Sequence, residues 1–138
     1  MEKLDCKSLM IGDWVNVMKK DSYEPVRVCT IYENAIDYLY IDNSLSTETT
    51  ALGMITIAGV EPIPLTPEIL EKNFEKKALW GIYDDYYDFT IREWNGMFIV
   101  NYHYCEIPMP DTQIVGISYV HELQHALRMC GIEKEIII

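Results

Sequence analysis

The chain has 138 residues, of which 49% are apolar and 24% charged, the balance of a globular protein long enough for one domain or two small lobes. Its 22 Asp and Glu outweigh 11 Lys and Arg, giving a formal net charge of −11 that excludes an ordinary binder of nucleic-acid phosphates. The same excess disfavours docking on an anionic membrane surface.

Met1 to Lys7 lacks the apolar stretch of a signal peptide, and no apolar run reaches the ~18 residues that span a bilayer, so a cytoplasmic protein is expected. The four cysteines, Cys6, Cys29, Cys105 and Cys130, are scattered and form no C-x-x-C. In a reducing compartment they are expected as free thiols.

Residues 1–64 read as a β-rich unit. Runs of β-type residues at Met10–Met18, Val26–Glu33 and Ala35–Ile41 are separated by the turn formers Asp21-Ser22 and Asp42-Asn43-Ser44. Ser44–Thr50 is polar and reads as an exposed loop. Met54–Ile57 is a further strand, with Val60–Ile63 as its continuation past Gly59. Several short strands in so few residues predict a small barrel or a strongly curled sheet. Gly12-Asp13 before Trp14-Val15 resembles the opening of many SH3-like barrels.

Pro62-Ile63-Pro64-Leu65 reads as a stiff connector into a helix. Thr66 is its N-cap, Pro67 takes the first helical position, and Glu68 and Glu71 complement the positive end of the dipole. Ile69, Leu70 and Phe74 form an apolar stripe, and Lys76-Lys77 suit the C-terminal end. Three strands are predicted next, at Leu79–Tyr83, Tyr86–Trp94 and Met97–Tyr104.

Asn95-Gly96 predicts a two-residue turn with positive φ at both positions, which fixes the hairpin register. Trp94 then faces Met97, Ile91 faces Val100, Phe89 faces Tyr102 and Asp88 faces His103. Tyr87, Phe89, Ile91, Phe98, Val100, Tyr102 and Tyr104 make a core face; Asp88, Thr90, Arg92, Asn101 and His103 make a wet one. After a loop marked by Pro108 and Pro110, Gln113–Cys130 reads as a closing helix stopped by Gly131. The whole, residues 65–138 being the second unit, is expected to be α+β: a small N-terminal barrel-like unit, a linking helix, an antiparallel meander and a C-terminal helix. The charge divides into about −5 before Thr66 and −6 after it, so no acidic tail carries it.

His121-Glu122-Leu123-Gln124-His125 fits H-E-x-x-H. Residues four apart share a helix face, so His121 and His125 would grip one Zn²⁺ while Glu122, as general base, activates its bound water. The context argues otherwise. A catalytic zinc needs a third protein ligand, yet only 13 residues follow His125, none of them histidine, and Arg128 stands where the extended pattern has Gly. On a helical wheel His121 and His125 fall about 160° from the stripe around Leu123, so an exposed pair is the plainer reading.

Asp84-Asp85-Tyr86-Tyr87-Asp88 lacks the glycine and spacing of a calcium loop and reads as a turn with solvated acids. Asp88 opposite His103 reads as a cross-strand charge pair, which an acid/base pair would also fit. There is no G-x-S-x-G, phosphate-cradling loop or dinucleotide fingerprint.

Leu9-x-Ile11-Gly12-x-x-Val15, Pro62-Ile63-Pro64-Leu65-Thr66-x-Glu68-x-Leu70 and Tyr119-Val120-His121-x-Leu123-Gln124 together resemble a family of short uncharacterised proteins from Bacteroidetes-type bacteria and their phages or mobile elements. The resemblance runs along most of the chain and implies no activity. In that family's pattern Gln stands at the position of Glu122 and Asn at that of His125, which tells against the zinc site. The expectation is therefore a non-enzymatic accessory or interaction protein with a protein partner, no cofactor and no catalytic or metal residues. The alternatives are the zinc hydrolase, and an acidic DNA mimic whose carboxylates imitate phosphates.

Overall fold

A computed structural model describes residues 4–42, 49–104 and 112–138. The protein is α+β, with two five-stranded antiparallel sheets and two α-helices, and it divides into two compact units, Met1–Ile63 and Pro64–Ile138. None of the described helices is long and apolar enough to cross a membrane.

In the first unit, β1 (Trp14–Lys19), β2 (Ser22–Ile31), β3 (Ala35–Asp42) and β4 (Thr49–Thr56) follow one another as neighbours. A 3-10 turn at Ile57–Gly59 leads into β5 (Val60–Pro62), which returns to pair with β1. The sheet order is β4-β3-β2-β1-β5, an open sheet whose ends are not joined by a ladder among the described residues, so no barrel closes.

Local chemistry explains several details. Pro25, which has no N–H to donate, lies in the half of β2 that pairs with β1 alone, and pairing with β3 begins only at Arg27. A bulge between Val28 and Thr30 then bends the strand. The alternating residues Val15, Val17, Val26, Val28, Ile36, Tyr38 and Val60 form one buried cluster with Cys6 and Leu9. β4 is longer than the sequence predicts, because Thr49 and Thr50 already belong to it; the rest of the expected Ser44–Thr50 loop lies outside the described residues.

The second unit opens as expected with α1 (Pro67–Asn73), where the Thr66 hydroxyl accepts the Ile69 N–H at 3.3 Å. The helix stops sooner than predicted. Phe74 is extended, and Glu75–Lys76 form the short strand β6 instead of a basic helix end. β7 (Trp80–Tyr83), β8 (Tyr87–Trp94) and β9 (Met97–Tyr104) make the predicted meander, with each of the four named cross-strand pairs in place. Asn95 and Gly96 both have positive φ, 50° and 77°, as a type I′ turn demands.

The closing helix is a correction. Gln113 to Ile117 are strand, not helix: β10 (Thr112–Ile117) adds to the edge of β9, and α2 spans only Val120–Met129. Gly116, at φ 83°, bends the strand through a bulge that carries Ile117 to the Phe98 side. A helix cannot pass through that conformation, whereas the edge of β9 supplies partners for the β-branched Ile114 and Val115. The Pro108–Pro110 loop lies outside the described residues.

α2 ends in a Schellman motif. Ile132 N–H bonds Leu127 O at 2.9 Å across Gly131. The helix side of the second sheet is a true core, with Phe74 stacked on Phe89 at 6.1 Å and Ile91, Val100, Leu123 and Leu127 at most 1% exposed. That face loosens toward its tyrosines: Tyr87 and Tyr102 are half-buried, and Tyr104 is exposed.

Candidate functional site

Val120 opens α2, so the H-E-x-x-H residues occupy its first two turns. The stripe Val120, Leu123 and Leu127 is buried, as the wheel predicts, but so are His121 on the far side, 5% exposed, and Gln124 between, 6% exposed. The expectation of an exposed histidine pair fails at His121. Its imidazole stacks nearly parallel to the Tyr119 ring, with centroids 6.0 Å apart and planes 12° apart. His125 is half-buried and meets His121 edge to face at 5.6 Å.

Glu122 occupies the third helical position and turns back to the start of the helix. One carboxylate oxygen accepts the backbone N–H of Ser118 at 3.0 Å and of Tyr119 at 3.1 Å. Negative charge is favoured there by the helix dipole, and two donors outside the intrahelical ladder are satisfied. The candidate general base thus has a structural task. Among the described residues no group of three or more His, Cys, Asp or Glu is arranged to hold a metal.

The second constellation is the face of the meander turned away from the helices. Asp88 lies opposite His103 and Thr90 opposite Asn101, and these four side chains line a hollow of about 450 Å³. Gly81 continues the Thr90 row on one side and Gln113 continues the Asn101 row on the other. The wet face is not polar throughout. Ile99, on the same face beside Arg92, is only 4% exposed.

Several acidic residues are engaged singly by neighbours. Glu24 pairs with Lys19 at 2.8 Å, Glu61 and Asp37 accept the hydroxyls of Tyr23 and Tyr32, and Asp84 accepts the Tyr86 N–H. Asp13 is fully buried and accepts the Met10 N–H at 2.8 Å.

Two structural residues escaped the sequence reading as sites. Asp13 entered it only as half of a common turn dipeptide, and Asn73 not at all. Asn73, 8% exposed, donates to Ile69 O and Ile137 O and accepts Ile137 N–H, each at 2.7 Å. Compared with known protein families, curated proteins and solved structures, the chain matches none.

Proposed function

We propose that this chain is a non-enzymatic accessory protein that acts by binding another protein, of the phage or mobile-element kind its motifs resemble. The first unit is its contact module. Four strands in a meander and a fifth returning through a 3-10 turn to pair with the first support an SH3-like plan for it.

The observation that carries this reading is the outer surface of that sheet. Register aligns Trp14, Arg27, Leu39 and Leu52 across four strands, with the Arg27 guanidinium 5.5 Å from the indole ring. Leu39 is 40%, Leu52 61% and Met54 67% exposed, where a solvated sheet would carry polar side chains.

Leu52 and Met54 lie on β4, an edge of the sheet with no charged residue or proline from Thr49 to Thr56. Such devices normally blunt an edge against pairing. A partner segment added along β4 gains main-chain hydrogen bonds and covers Leu52 and Met54. The charge of −11 selects a neutral or basic partner. The capping role of Glu122 weighs for this reading over a zinc hydrolase, and the engagement of Glu24, Glu61, Asp37 and Asp84 by separate neighbours weighs for it over a DNA mimic.

The test compares wild type with the Leu52→Lys, Met54→Glu double variant as tagged bait in extracts of the host cell. Both substitutions are at exposed positions, so the variant is expected to keep the wild-type thermal midpoint. A protein retained by wild type and lost from the variant supports the proposal. Identical captures, or substrate turnover lost on substituting His121, would overturn it.

A further inference from the structure

We infer that the hollow on the open face of the second sheet is a binding site for a guanidinium or ammonium group. The hollow belongs to the second unit, so the inference stands apart from the contact proposed for the first.

The register builds the site. Asp88 with His103, and Thr90 with Asn101, are directly opposed pairs on neighbouring strands, and the two rows are two residues apart on one face. Directly opposed Cβ atoms stand roughly 5 Å apart and successive same-face residues roughly 7 Å, so the four side chains frame a small rectangle. Its floor is strand backbone fixed by the Asn95-Gly96 turn and by pairing on both sides, with β7 and β10. Gly81 next to Thr90 adds no side chain and keeps that side of the hollow open.

Chemistry selects the ligand. Three of the four lining side chains carry an oxygen acceptor: the Asp88 carboxylate, the Thr90 hydroxyl and the Asn101 carbonyl oxygen. None is a fixed cation, and one is an anion. A guanidinium carries five donors, no acceptor and a positive charge, and it takes a carboxylate in a bidentate grip. An ammonium satisfies the same acceptors with three donors. An apolar ligand would offer the Asp88 carboxylate and the Thr90 hydroxyl no hydrogen bond. A phosphate or carboxylate would meet Asp88 within a molecule of charge −11, whose field draws cations instead.

The test is a ¹H–¹⁵N NMR titration of the full chain with N-acetyl-arginine amide, with its neutral isostere N-acetyl-citrulline amide, and with an arginine-containing tripeptide. The expected result is saturable movement of the Asp88, Thr90, Asn101 and His103 amide signals with the arginine probes and none with citrulline. Asp88→Asn should weaken binding at least about tenfold, the scale of a lost charge-assisted hydrogen bond, with the rest of the spectrum unchanged.

Thr90→Val supplies a second variant at a strand-compatible position and should also weaken it. Equal binding of the free amide and the tripeptide identifies a small cationic ligand; binding of the tripeptide alone identifies an arginine side chain of a polypeptide. Saturation by citrulline, no movement with either arginine probe, or an affinity unchanged in both variants would overturn the inference.

Discussion

Asn73 and Ile137 form a contact in which a side chain does the work of a strand. The amide of Asn73 exchanges two hydrogen bonds with the backbone of Ile137, both at 2.7 Å, and so satisfies a tail that belongs to no sheet. A further bond to Ile69 O holds the amide against the end of α1. Replacing Asn73, itself 8% exposed, by Ala removes both side-chain partners of the Ile137 backbone. The expected cost is about 1–3 kcal/mol, read as a lower urea midpoint with faster amide exchange at Ile137. An unchanged midpoint would mean that the tail contributes nothing to stability.

Such a role is not legible in sequence, because the partners lie 64 positions apart and one of them is backbone. Glu122 shows the converse. Its spacing was legible but ambiguous, since a Glu within H-E-x-x-H also stands three residues after Tyr119, where a carboxylate reaches the first N–H groups of a helix. A tyrosine at the cap position hid that second meaning, the usual signal being Ser or Thr.

At the scale of elements, the sequence was clearest where a local rule acts alone. Thr66-Pro67 started a helix and Asn95-Gly96 closed a hairpin because each sets backbone angles within two residues. It failed over Gln113–Ile117, where a neighbouring strand decides the conformation. Ile114 and Val115 suit either element, and pairing with Val100 and Ile99 settles them as strand.

The meander also depends on a close approach that no pattern reveals. A Cβ on Gly81 would come within 2.3 Å of the Phe89 carbonyl oxygen, which is backbone and has no rotamer to yield. Gly81→Ala should therefore part β7 from β8 and destabilise the second unit by about 1–3 kcal/mol or more. Thermal unfolding followed by near-UV circular dichroism checks this. Thr90→Ala, at the paired position, should cost less, since it removes only a half-buried side chain.

For the molecule as a whole, the charge of −11 was legible from the first count, but its linkage to stability was not. Among the described residues six groups hold their protons more tightly than usual, and they are spread over both units. Burial pushes the Cys6 thiol up, with Asp5 adding to it, and burial alone does so at Cys130. Hydrogen bonds to Glu61 and Asp37 raise Tyr23 and Tyr32, burial and then Asp84 raise Tyr87, and the bond to Glu24 raises Lys19.

The sign is the same for all six. The folded state keeps protons that the unfolded chain releases, so the stability they supply is complete below the unfolded values, about 8.5 for a thiol and about 10 for a phenol. It is lost as pH rises through the folded ones. Each proton released also adds negative charge to an already acidic molecule.

Stability should therefore fall from pH 8 to pH 11 in denaturant titrations. Added salt should recover the part due to surface repulsion and leave the part due to the desolvated Cys6 and Cys130 thiols. Cys6→Ala with Cys130→Ala should flatten the remaining slope at its lower-pH end. A stability flat across that range, or a slope that salt abolishes entirely, would show that the thiols titrate alike in the folded and unfolded states.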